Sequence, residues 1–129
     1  MKINAEISYG ELFDKISILE IKKSKIKDKV KLININKELK VLLKIKSRIK
    51  KNKHALNKLK RKLTYVNIRL WNVEDKLRKL EKNKSFSKAF INLARNVYKL
   101  NDSRAKIKHS INLVSKSSII EEKSTNTLN

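Results

Sequence analysis

Three of the chain's six arginines, Arg78, Arg95 and Arg104, fall at helical spacing from carboxylates, amides and aromatic rings. Asn67, Trp71, Glu74, Arg78 and Glu81 step 4-3-4-3 and so share one helix face. Further along, Arg95, Tyr98 and Asp102 make one stripe, and Asn101, Arg104, Lys108 and Asn112 make another. Near the N-terminus Glu11, Lys15 and Lys22 share a face, with Asp14 beside it. Arg104 takes a position between Leu100 and Ile107 where the apolar register calls for a seam residue. Brought together, such groups would form an anion site. Guanidinium and ammonium groups would hold a phosphate or carboxylate, amide and phenol would orient it, and a carboxylate would fix a cation or exchange a proton. The plainer reading is structural. Glu74 and Arg78 make an i,i+4 surface pair of a few tenths of a kcal/mol, Trp71 and Tyr98 serve as core, and Arg95 and Asp102 tie helices together.

Other chemistry is poorly supplied. There is no cysteine, and His54 and His109 are far apart in sequence, so neither a thiolate nor a zinc site is expected. Ser/His/Asp sets and phosphate-cradling glycine loops are missing too, with Gly10 the single glycine. All-α nucleotide pyrophosphatases hold magnesium with E-x-x-E and E-x-x-D pairs on facing helices. Glu11-Leu-Phe-Asp14 has the second spacing, whereas Glu74 and Glu81 sit seven apart. A small metal-dependent nucleotide-processing enzyme therefore stays as an alternative, but no metal site or cofactor is assigned.

Net charge is +22, and its placement is uneven. Between Lys22 and Lys62 eighteen basic residues face only Asp28 and Glu38. That segment suits a phosphate-tracking face for nucleic acid or an anionic membrane surface. It has no aromatic residue for base stacking and no nucleic-acid motif. Lys, Ile and Asn make up 58 of the 129 residues, and all three have A/T-rich codons, so base composition alone would generate much of the lysine. A nucleic-acid-binding module working through residues 22–62 is the second alternative, and non-specific nucleic acid is a corresponding partner.

The elements that must position these residues are helices. A chain with no proline and one glycine cannot supply the turns of a sheet fold. Ser8-Tyr9-Gly10-Glu11 fits a capping box and opens a helix to about Lys27. A second helix spans about Lys29 to Lys50, and the tract 50–54 reads as a joint. In the third, Leu56, Leu59, Leu63, Val66, Leu70, Val73, Leu77 and Leu80 step 3-4-3-4-3-4-3, a heptad seam. Asn83-Lys84-Ser85 breaks it, and a fourth helix buries Phe90, Leu93, Val97, Leu100, Ile107, Ile111 and Val114. The expected fold is an all-α, antiparallel four-helix bundle. A long hairpin (about 54–83 and 87–115) forms its centre, and the first two helices cover the hairpin's apolar faces. Ile3, Ala5 and Ile7 alternate with polar residues and would pair as a short strand with Ile119–Glu122. Residues 1–120 are expected to form one domain and 121–129 a flexible tail. The first residues lack an apolar signal core and no apolar run approaches membrane-spanning length, so a cytoplasmic location is expected.

Several blocks carry a resemblance: Glu6 to Lys22 (EISYGELFDKISILEIK), Leu70 to Arg78 (LWNVEDKLR), Phe90 to Lys108 (FINLARNVYKLNDSRAKIK) and Glu121 to Lys123. Through them the chain resembles an uncharacterised family of short bacterial helical proteins, known only as a domain of unknown function. Relatives often have proline at the position of Tyr9, which suits the first turn of a capped helix. The resemblance implies no activity, but it does place the polar residues inside the family-like blocks and the basic stretch 23–62 outside them. The residues assigned to a site are Asp14, Lys15, Lys22, Trp71, Glu74, Arg78, Arg95, Tyr98, Asn101, Asp102, Arg104 and Lys108. Their expected role is an inter-helical polar pocket for an anionic small molecule or a protein partner. Arg95, Arg104 and Lys108 would supply charge, Trp71 and Tyr98 the walls, and Asp14, Glu74 and Asp102 the orientation of the cations. Whether the protein is an enzyme is left open, and the seam leaves room for a homodimer.

Overall fold

The first helix starts where the sequence places its cap. In the computed structural model, which describes residues 1–116, Ser8 Oγ accepts from the N–H of Glu11 at 3.0 Å, and α1 (Tyr9–Lys25) follows. The Glu11 carboxylate, read as the returning half of that box, accepts from Lys108 near the chain's far end at 2.6 Å. Ser8 is itself buried. Ser8→Ala should lower stability by about 1 kcal/mol in urea unfolding, the usual loss for a removed cap.

α2 (Lys29–Lys46) is capped by Asp28, whose Oδ1 accepts from the N–H groups of Val30 and Lys31 at 2.9 and 3.1 Å. It ends four residues before the expected Lys50. The chain changes direction before α3 (Lys53–Lys82) at Asn52, which sits in the left-handed region at φ 57°, a conformation a continuous helix cannot accommodate. α3 closes at Asn83, Lys84 takes φ 52°, and α4 (Lys88–Ser115) follows, as the break at 83–85 requires.

Helices α3 and α4 share the most extensive contact. Asn52 Nδ2 donates to the Val114 carbonyl at 2.9 Å, so the start of α3 meets the end of α4. Val66 and Leu70 pack on Leu100 midway, and Leu77 and Phe90 line one shallow pocket near the connecting turn. The main chain of α1 comes close to all three other helices, whereas that of α2 comes close to α1 alone. Of the two early helices expected to cover the hairpin, α1 lies directly on it, and α2 joins through the core that Ile35 and Leu39 share with Leu56, Leu63 and Ile111. Leu12, Phe13, Ile16 and Leu19 are all buried, an apolar arc wide enough to take the hairpin on one side and Ile35 and Leu39 of α2 on the other.

Length explains how the seam is used. α1 has 17 residues and α3 has 30, or about 26 Å against about 45 Å at helical rise. Along the seam Leu56, Leu63, Val66 and Leu70 are buried and Leu59 is half-buried, while Val73, Leu77 and Leu80 toward the connecting turn are all only half-buried. Residues 1–7 are exposed and form no strand, and their proposed partner Ile119–Glu122, like the tail 121–129, lies outside the described residues. No helix among the described residues is long and apolar enough to cross a membrane.

Candidate functional site

The centre of the molecule contains a carboxylate. Asp14 is completely buried on α1, which places its charge where water cannot solvate it. Two helices supply partners. From α4, Arg104 Nε donates to Asp14 Oδ1 and Oδ2 at 2.9 and 3.1 Å, and its Nη2 makes a short ion-paired bond to Oδ2. From α3, Asn67 Nδ2 donates to Oδ1 at 2.9 Å and lies 3.2 Å from Ser17 Oγ, which in turn donates to Thr64 Oγ1 at 3.2 Å. Lys108 Nζ stands 3.9 Å from Oδ2 and is bonded to Glu11. The Asp14 hydrogen bond holds the Arg104 guanidinium above its ordinary range. Burial opposes this, and the charges of Asp14, Glu11 and Glu74 reinforce it. The polar layer is thus closed, with no unpartnered buried side-chain N or O among the described residues.

Arg104 is three-tenths exposed, and that part of it faces a groove between α1, α3 and α4. The groove has a volume of about 270 Å³ and is lined by Ile18, Ile21 and Lys22, by Asn67, Leu70, Trp71, Glu74 and Arg78, and by Arg104. Asp14 occupies the Nε/Nη2 edge of the guanidinium, and none of the hydrogen bonds among the described residues uses Nη1. The fork is therefore fixed from behind with N–H donors to spare. Glu74 is the single acid on the wall, and it shares Arg78 with Asp75, each at 3.9 Å.

The structure gathers Lys22, Trp71, Glu74, Arg78 and Arg104 around this groove, with Asp14 and Lys108 directly behind. The other assigned residues do not line it. Lys15 is exposed, 3.9 Å from Glu11. Arg95 and Tyr98 are exposed as well, and Asn101 and Asp102 are half-buried on α4. At about 100° per residue, Arg95 and Tyr98 turn away from the direction set by Leu93, Leu100 and Arg104. Position in sequence put them in one stripe, but α3 and α1 meet a different side of α4.

Sequence reasoning passed over Ser17, Thr64 and the burial of Gly10. A signal was available: Gly10, Asp14, Ser17 and Ile21 step 4-3-4 along α1, a second inward stripe made of small and polar residues. Gly10 is packed against α4, with its N–H donating to Asn112 Oδ1 at 2.7 Å. Of the E-x-x-D pair, Glu11 is engaged by Lys108 and Asp14 by Arg104, and among the described residues no three His, Cys, Asp or Glu side chains group closely enough to hold a metal.

No curated protein and no solved structure matches this chain. A family model does match, over residues 1–128, almost the whole length in which the buried carboxylate, its arginine and the groove are set. The chain belongs to that family, a family of unknown function designated DUF6165.

Proposed function

We propose that the groove between α1, α3 and α4 binds an anionic small molecule with a planar or apolar portion. The observation that carries this reading is Arg104. It is tied to buried Asp14 along one edge and faces the groove, so its charge and orientation are set before a ligand arrives. Lys22 and Arg78 add cationic donors on the rim, against the single carboxylate of Glu74. Trp71 with Ile18, Ile21 and Leu70 gives an apolar wall that a ring can lie against. A space of about 270 Å³ suits a metabolite-sized ligand, just under the ~300 Å³ at which drug-sized pockets begin.

Thermal unfolding with phenyl phosphate and benzoate, beside inorganic phosphate and neutral benzyl alcohol, tests the reading. The planar anions are expected to raise the melting temperature. Occupancy at a hundred times Kd corresponds to about 2.7 kcal/mol of added stability. The double variant Lys22→Ala/Arg78→Ala, which leaves the Asp14–Arg104 pair in place, should lose most of that rise. An equal rise with benzyl alcohol, or a rise unchanged in the double variant, would remove the groove as the anion site.

A further inference from the structure

Helix α2 has two faces, and only one is used by the fold. Leu32, Ile35, Leu39, Leu42 and Lys46 step 3-4-3-4 and turn inward: Ile35 and Leu39 are buried, and the other three are half-buried. A second series, Val30, Ile33, Lys37, Val41 and Lys44, steps 3-4-4-3 along the opposite side. All five are exposed, with Val30 at 69%, Ile33 at 56% and Val41 at 59%. Lys40 is exposed beside them, and Glu38, the single acid of the helix, falls outside the series. Nothing among the described residues covers this side.

We infer that the outward face of α2 docks on an anionic lipid surface. The lysines on this face, with Glu38 off to its flank, attract phosphate headgroups, and the aliphatic side chains between them can enter the headgroup–acyl boundary. From Val30 to Val41 the helix rises about 17 Å, which lets all three aliphatic groups meet a plane together. The same features disfavour other occupants. A nucleic-acid backbone would use the lysines but give Val30, Ile33 and Val41 nothing to bury against, and the face has no aromatic residue for bases. A second copy docking through the same face would bring the same lysines, and that face has no acid to meet them.

Co-sedimentation with lipid vesicles at about 0.15 M salt reads the inference directly. The protein is expected to sediment with vesicles of phosphatidylcholine mixed with phosphatidylglycerol and to stay in solution with phosphatidylcholine alone. Lys37→Gln/Lys40→Gln/Lys44→Gln should weaken partitioning roughly 100-fold, at about fivefold per lysine near an anionic surface. Val30→Ser/Ile33→Ser/Val41→Ser should weaken it roughly tenfold or more, through lost apolar burial. All six positions are exposed, so both variants should keep the wild-type helical circular dichroism. Failure to sediment with the anionic vesicles would overturn the inference. So would full retention of binding by the serine variant. Duplex RNA or DNA bound more tightly than the vesicles, with the lysine variant affected and the serine variant not, would reassign the face to nucleic acid.

Discussion

Asp14→Ala should lower the free energy of unfolding by about 3–5 kcal/mol, the range for breaking a buried ion pair from one side. The substitution removes the anion and leaves the cation. Arg104, held against α1 by three hydrogen bonds to that carboxylate, would keep its charge in a half-buried position with Lys108 close by. Asn67 would lose its Oδ1 acceptor as well, on a residue that is almost fully buried. The direction therefore does not depend on one contact. Urea unfolding of Asp14→Ala, Arg104→Ala and the double variant separates the contributions. The double variant should be less destabilised than the sum of the singles, because neither charge is then left without its partner. A change within about 0.5 kcal/mol for Asp14→Ala, as at an ordinary surface site, would show that the pair is solvated and does not hold α1 to α4.

The second large effect is expected at Gly10. A Cβ added there would lie 2.5 Å from the Lys108 carbonyl oxygen, 2.9 Å from Asn112 Oδ1 and 3.1 Å from the Lys108 carbonyl carbon. Two of those three atoms are backbone, which no rotamer change can move aside. Alanine should gain up to about 1 kcal/mol from helix propensity. Against that stand an overpacking loss of about 1–3 kcal/mol and strain on the Gly10 N–H bond to Asn112. We expect Gly10→Ala to destabilise by about 2 kcal/mol net. Adding Asn112→Ala should not recover it, since the closest atom belongs to the Lys108 main chain. Recovery in the double variant would mean that the side-chain amide sets the spacing between α1 and α4. Stabilisation by Gly10→Ala alone would mean that α4 can retreat without loss.

These two sites differ in how far they could be read from the sequence. The caps and breaks were legible because they are local: Ser8 bonds to a residue three positions on, and Asn83–Ser85 interrupts two helical periods without help from elsewhere. The same holds for the α3 seam, whose period names the inward residues. Asp28, which caps α2, was equally local and was passed over as one more charge. The site was legible only in part. Trp71, Glu74 and Arg78 share a wall because one helix carries them at steps of three and four, and that follows from sequence alone. Arg104 announced itself as a charge in an apolar register. Its partner did not, since Asp14 is 90 residues away and pairs with it only once α1 is laid across α4.

What the residues determined by themselves is the set of helices and their inward stripes, because backbone hydrogen bonds and side-chain periodicity act within a few residues. What the tertiary structure alone decided is which stripe meets which. It sets α1 between the hairpin and α2, turns Arg95 and Tyr98 to solvent, and aims Arg104 at Asp14 and the groove. Such choices depend on small differences in shape between faces of similar composition, with Gly10 admitting α4 where any larger residue would hold it off.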